Sequence, residues 1–417
     1  MKMSNQIITA IDVGTTKICT LIGEVSQDGD ANIIGVGIEP SKGLRKGTVV
    51  DVHETRRAVR ASIKKAEQQA GKRIKSAFVS VTGSHIESSN NWISVTTSTD
   101  KSVITNDRLN NMANSAKLPN LKSDRTQIHS IPISYALDGK RGIRNPVGMH
   151  VSEIDMHTQF VTGDSSFVKT LNETVISAGI NVEGMVLQPL ASGEAVLTEE
   201  EKEVGVVLID IGGGTSDIAV FQSGVLIHAS VLPIGGFQFT NDISMMFDTN
   251  YEDAEVIKLQ YGDVNPEQID LDETVVTKII GENKEITVTR REICQVLKER
   301  GVELFSFIKA KLDKAPLKTM PVLRIVLTGG GSNLSGLDKL ARRSLTATVR
   351  IGVPNTTDVQ EQKLNNPAYS TCVGVLEWSV KCSSQLSNSN TGYNKSSNLY
   401  NRIGNWLLGQ IKGMVPA

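Results

Sequence analysis

Apolar and polar positions change period several times along the chain, and the changes mark its elements. Apolar runs at 7–13, 17–25 and 32–38, with Asp28-Gly29 as a turn signal, predict a strand meander. Residues 51–70 then carry Val52, Ala58, Val59, Ile63 and Ala66 among charged neighbours, a helical spacing that Gly71 ends. The 75–82 stretch reads as a returning strand. From 86 to 164 the texture changes to an inserted α+β unit, with a helix near 106–117 and strands near 127–137 and 150–162. A helix resumes at 165–178, and 185–197 leads into a second half. There the apolar run 204–209 predicts a buried strand, followed by strands at 218–221 and 225–231. A helical stretch at 237–262, strands and turns at 269–289, a long helix at 290–311, a strand at 323–328 and a last helix at 366–380 complete the pattern.

The two halves open alike. Asp12-Val-Gly-Thr-Thr-Lys17 and Asp210-Ile-Gly-Gly-Gly-Thr-Ser-Asp217 each stand directly behind an apolar run. Their glycines permit the close backbone approach of a tight hairpin, which turns successive N–H groups toward one point. Such N–H groups and threonine hydroxyls suit an anion, and an Asp at a strand end suits magnesium or its waters. One copy alone is also what an ordinary β-hairpin looks like. A third element, Leu323-Arg-Ile-Val-Leu-Thr-Gly-Gly-Gly-Ser332, runs a strand into glycines whose backbone can lie flat against a planar base. In this order the three predict a nucleotide site between two lobes.

Composition narrows the picture a little. The 417 residues are enough for two or more packed lobes, and 44 Lys plus Arg against 45 Asp plus Glu give no global field that would draw nucleic acid or anionic lipid. Basic pairs such as Lys64-Lys65 and Arg342-Arg343 read as ordinary surface charge, so no nucleic-acid partner is expected. Cys19, Cys294, Cys372 and Cys382 lack metal-ligand spacing and read as reduced thiols of a cytosolic protein. No apolar run is long enough for a signal peptide or a membrane span.

Residues 383–398, rich in Ser and Asn, read as a flexible tether. Beyond it, Leu399, Ile403, Trp406, Leu407, Ile411 and Met414 fall on one helical face, opposite Asn401, Arg402, Asn405 and Lys412. Gly404, Gly409 and Gly413 each cost about 1 kcal/mol of helix stability, so this segment needs a surface to fold against. That surface is either the chain's own domain or a bilayer interface. The tether and Trp406 favour the bilayer.

The hairpins, the Gln188-Pro189 connection, the glycines at 329–331 and the returning Asn366-Pro-Ala-Tyr-Ser-Thr-Cys-Val-Gly374 resemble the actin, Hsp70 and sugar-kinase superfamily. Within it, Asn145-Pro-Val-Gly-Met149, Ala254-Glu-Val-Ile-Lys258, Val326-Leu-Thr-Gly-Gly-Gly331 and the tethered amphipathic end resemble the FtsA family of bacterial cell-division proteins, with coverage from about Ile7 to the C-terminus apart from the tether. The resemblance implies an α/β, actin-like, two-lobed fold with duplicated ribonuclease-H-like cores. The usual second subdomain would be missing, and the insertion would sit on the other side of the first lobe. Expected boundaries are 1–85 and 165–203 for the first core, 86–164 for the insertion, 204–236 and 301–360 for the second core, 237–300 for its outer subdomain, 361–382 for the return helix, 383–398 for the tether and 399–417 for the amphipathic end.

It further implies ATP and magnesium in the cleft. Asp12 and Asp210 would orient the metal and its waters, with Gly14, Thr15, Thr16 and Lys17 on one side of the phosphates and Gly212, Gly213, Gly214 and Thr215 on the other. Glu255 and Lys258 would reach ribose and base, with Gly330, Gly331 and Ser332 beside the adenine. Without the motif, Glu255 and Lys258 read as an exposed i, i+3 ion pair. Gln188 stands where active relatives often have a carboxylate, and a Gln orients water but is a poor base, so hydrolysis is expected to be slow at most. The implied partners are further copies of the chain as a polymer, later division proteins through the insertion, and the C-terminal peptide of FtsZ at Arg290, Arg291, Lys298 and Arg300. The implied location is the cytoplasmic face of the inner membrane at the septum. A soluble small-molecule kinase and an actin-like scaffold of a pilus or secretion machine would share the hairpins and stay as alternatives.

Overall fold

A computed structural model describes residues 6–26, 31–96, 102–282, 284–317, 322–356 and 359–388. Its framework is one sheet built twice. In the first lobe the strand order is Asn181–Leu187, Ser76–Val81, Gln6–Val13, Lys17–Val25, Ala31–Pro40. In the second it is Thr348–Ile351, Arg324–Thr328, Val206–Ile211, Ser216–Gln222, Val225–Leu232. In both, the central strand pairs parallel on one side and antiparallel with its own hairpin partner on the other. Central strands such as Val206–Ile211 are buried along their whole length, which is why they read as unbroken apolar runs.

Helices cover these sheets. Helix α1 (Val52–Ala70) starts on Asp51, whose side chain accepts the N–H groups of His53 and Glu54, and stops at Gly71 in the left-handed region. It lies close on Ala31–Pro40, where a Cβ at Gly37 would come within 1.8 Å of the Ser62 carbonyl oxygen. In the insertion, α2 (Asn106–Ser115) packs under a four-stranded sheet of Lys140–Ile143, Arg125–Leu137, Glu153–Asp164 and Glu87–Thr96. The chain then forms α3 (Ser165–Ser177), α4 (Gln188–Val196) and α5 (Glu199–Val204) before entering the second lobe. That lobe carries α6 (Gly236–Met246), α7 (Tyr251–Tyr261), the long α8 (Arg290–Leu312), α9 (Leu337–Leu345) and finally α10 (Ser370–Asn388). The outer hairpin Thr274–Lys278 with Glu285–Thr289 stands between α7 and α8.

Helices α4 and α10 each follow an edge strand of their own sheet and pack on one another between the lobes. A Cβ at Gly374 would sit 1.8 Å from the Ala191 carbonyl oxygen, so only glycine allows this approach. The insertion joins the first lobe in sequence yet also touches the second. Ser88 donates its hydroxyl to the Ala229 carbonyl at 2.7 Å, Asn90 donates to the Ile227 carbonyl at 3.2 Å, and Arg144 donates to Ser223 Oγ at 2.7 Å.

Several sequence expectations shift. The strand expected at 204–209 is Val206–Ile211, because a short helix started by the Thr198–Glu201 capping box occupies the chain through Val204 and ends at Gly205. The helical stretch at 237–262 is two helices, since Asn250 caps a new start at Tyr251. The strands Glu87–Thr96, Asn181–Leu187 and Thr348–Ile351 and the helix α9 had no separate signal. Residues 383–388, expected to belong to the tether, are part of α10, and no Gly or Pro stands between Gly374 and Asn388 to stop it; 389–398 lie outside the described residues. The turn at Asp28-Gly29 and the segment 399–417 lie outside the described residues.

Candidate functional site

Between the two sheets opens a cavity of about 750 Å³, walled by both hairpins, the Gly329–Gly331 loop, α7 and the start of α10. The hairpins close identically. The N–H of Gly14 donates to the Lys17 carbonyl at 3.1 Å, and that of Gly212 to the Thr215 carbonyl at 2.8 Å. Their tips meet: a Cβ at Gly213 would fall 1.8 Å from Thr16 Oγ1, and one at Gly214 would fall 2.6 Å from Thr15 Oγ1. Gly14, Thr15, Thr16, Lys17 and Gly212, Gly213, Gly214, Thr215 all line the cavity.

Two buried carboxylates face each other across its floor. Asp12 Oδ1 accepts from Ser80 Oγ at 2.7 Å and from Gln188 Nε2 at 3.1 Å. Asp210 Oδ2 accepts from Ser192 and, at 3.1 Å, from Thr371. A third, Asp217, lies opposite Asp210 in the hairpin register and accepts from Thr82 and, at 2.9 Å, from Thr215. Burial pushes Asp12 up to about 6, against the Ser80 hydrogen bond and the Lys17 charge. Burial, with the nearby charges of Asp210 and Asp12, pushes Asp217 up to about 7. Asp210 is raised too, chiefly by burial. Desolvated negative charge of this kind calls for a cation. Magnesium fits, since it keeps most of its waters and takes one or two carboxylates together with phosphate oxygens. No group of three or more His, Cys, Asp or Glu able to hold a metal by itself occurs among the described residues.

The ammonium of Lys17 lies 5.0 Å from the centre of the Tyr369 ring, which holds it at the cavity wall. Gln188 is the first residue of α4, and Pro189 behind it presets the helical turn. With its amide nitrogen given to Asp12, its Oε1 is left as an acceptor.

On α7, Glu255 and Lys258 pair at 2.7 Å, and Lys258 also donates to Thr240 Oγ1 at 2.8 Å. Both face the cavity and are mostly buried, so they are a cleft pair and not a solvated one. Gly330 and Gly331 lie on the opposite wall with Gly329, whose positive φ of 81° and contact with Asp210 exclude a side chain. Ser332 departs from expectation. It is buried, its hydroxyl turns back to the Gly329 carbonyl at 2.7 Å, and Asn333, Leu334 and Ser335 take the wall in its place.

The four basic residues do not form a free patch. Arg291 donates to the Ile269 carbonyl at 2.8 Å, Lys298 pairs with Glu267, and Arg300 pairs with Asp242 and Glu303. Arg290 pairs with Glu273 at 2.9 Å and lies on the cleft wall. A helix in sequence shows its charges but not the acidic residues that the fold brings to them.

Sequence reasoning missed Asp217 as a site residue, although it closes the quoted second motif. It also missed Ser80, Thr82, Ser192 and Thr240, ordinary hydroxyls without a motif of their own, and Thr371, which stands inside the quoted 366–374 stretch without being singled out. The predicted membrane-facing residues lie outside the described residues. No helix among those described is long and apolar enough to cross a membrane.

Comparison with known proteins agrees with this fold. A family model described as cell division protein FtsA matches residues 207–374, and one described as the SHS2 domain inserted in FTSA matches 83–162. The cell division protein FtsA of Pseudomonas aeruginosa is 35% identical over 98% of this chain and 99% of its own length. Those of Escherichia coli and Bacillus subtilis are 34% and 32% identical, over 89% and 91% of this chain and 90% and 84% of theirs. Among solved structures, the PilM–PilN type IV pilus biogenesis complex matches with a TM-score of 0.62 and 16% identity, over 89% of this chain and 98% of that one. MreB 5 of Spiroplasma citri bound to AMPPNP matches at 0.55 and 13%, over 92% and 98%. These structural likenesses show a shared actin-like fold.

Proposed function

The chain belongs to the FtsA family of cell-division proteins, and from that premise we propose that it binds ATP with magnesium, self-associates, and attaches the FtsZ ring to the inner face of the cytoplasmic membrane while recruiting later division proteins. The observation that carries the nucleotide part is the cleft between the lobes, in which buried carboxylates and a lysine lie between two glycine hairpins. A magnesium ion would supply charge neutralisation for the triphosphate. Asp12 and Asp210 would hold it through waters. Lys17, the hydroxyls of Thr15 and Thr16, and the N–H groups of Gly213 and Gly214 would bind the phosphate oxygens, and Glu255 and Lys258 the ribose, while Gly212 and Thr215 close the second hairpin and hold Asp217. Gln188 Oε1 can accept a hydrogen bond from a water and orient it but is a poor acceptor for its proton, which supports slow turnover and a nucleotide used mainly to close the lobes.

The family membership and the amphipathic pattern at Leu399, Ile403, Trp406, Leu407, Ile411 and Met414 support the membrane part. The test is co-sedimentation of the full chain with anionic liposomes in ATP and magnesium, with an FtsZ C-terminal peptide present, beside a version ending at Asn398. Binding to vesicles that disappears on truncation, with the peptide carried down by the full chain, is expected. Full-length protein left in the supernatant would sink the anchor reading and return attention to a soluble kinase or scaffold.

A further inference from the structure

The cavity has a polarity that can be read from its walls. The hairpins, Asp12, Asp210 and Lys17 make its phosphate end; α7 then leads away through Glu255 and Lys258 to Leu259, Gln260 and, past its end, Gly262. Gly262 packs against Leu334 from the opposite wall, since a Cβ there would lie 3.0 Å from Leu334 Cδ1. Arg290, the first residue of α8, reaches this far end. Its Nε donates to the Tyr261 carbonyl at 2.8 Å, and its Nη1 donates to both oxygens of Glu273 at 2.9 Å.

We propose that Arg290 is the base-contacting residue of the cleft, laying its guanidinium plane against the nucleobase, with Glu273 as its positioning residue. This rests on the nucleotide reading above. Two hydrogen-bonded anchors fix the plane before any ligand arrives, so little side-chain freedom remains to be lost on binding. A guanidinium is flat and weakly hydrated and stacks face to face on aromatic rings, whereas a lysine ammonium meets a ring only as a point charge. The Glu273 carboxylate neutralises it, so this end has no net positive charge to compete with Lys17 for phosphates, and a nucleotide enters in one orientation.

The test compares the affinity of the full chain for magnesium-ATP and for tripolyphosphate, which carries the phosphates without a base. Arg290→Ala and Arg290→Lys should both weaken ATP by about tenfold while leaving tripolyphosphate unchanged, and Glu273→Gln should weaken ATP by about threefold. Unchanged ATP affinity in Arg290→Ala, or full affinity in Arg290→Lys, would overturn the base contact. Equal loss of both ligands would assign Arg290 a structural role and overturn it as well. Unmodified chain that binds neither ligand would instead bring down the nucleotide reading, a result distinct from these.

Discussion

The two phosphate-side hairpins share one backbone plan and divide the chemistry unequally. The first, 12–17, keeps two threonines and a lysine, and offers hydroxyls and a cation. The second, 210–217, gives up side chains for three glycines, and offers N–H groups and room. The reason lies in their contact. Thr15 and Thr16 occupy the space that side chains at 214 and 213 would need, so the lobes close only if one partner is bare. The two openings are thus complementary, not identical, where they meet.

Breaking this complementarity should have the largest effect. Gly213→Val forces a side chain into Thr16 and is expected to weaken magnesium-ATP binding by about 3 kcal/mol, roughly a hundredfold. Adding Thr16→Gly should recover part of the loss, and a double-mutant cycle on nucleotide affinity measures the coupling. If the second change recovers nothing, the hairpin tips do not set each other's size.

Removing the cation tests the first hairpin's share. Lys17→Ala should cost about 2 kcal/mol in ATP affinity, the range of a charge-assisted hydrogen bond, with a tripolyphosphate titration showing the same loss. An unchanged affinity would mean that the second hairpin's backbone does the phosphate binding alone.

A third prediction uses the carboxyl that the second hairpin adds. Burial raises the Asp217 carboxyl from its ordinary 3.8 to about 7 in the fold. Between these values the folded chain binds more protons than the unfolded one, so metal-free stability should fall as pH rises through that window. Asp217→Asn removes this contribution and should gain on the order of 1 kcal/mol at pH 8, read from denaturant unfolding without magnesium. A pH slope unaltered by the substitution would place the titration elsewhere.

The smallest effect belongs to Thr15, which accepts the Gly47 N–H at 3.2 Å and ties the first hairpin to its own lobe. Thr15→Ala should lower unfolding stability by about 0.5 kcal/mol.

How far the sequence can be read differs between fold and site for a physical reason. Strands buried on both faces announce themselves as unbroken apolar runs and amphipathic helices by their period, so Gln6–Val13, α1 and α8 were legible, as were the glycines that permit the hairpins. Short edge strands such as Thr348–Ile351 carry too few residues for a period to emerge. Glu255 and Lys258 were legible only by resemblance, because spacing alone makes them a surface pair.

By itself the sequence determined the two strand-and-hairpin openings, the glycine loop and hence a nucleotide-sized problem for the fold to solve, since backbone conformation and burial are local demands on residue type. Only the tertiary structure decided which groups answer the buried charges. Ser80 and Gln188 come to Asp12, Ser192 and Thr371 to Asp210, and Thr82 to Asp217, each from a different element of the fold. The same packing turned Ser332 away and gave Arg290 its place on the cleft wall, because a hydrogen bond or an ion pair depends on who is near in space, and nearness is settled only when the lobes close.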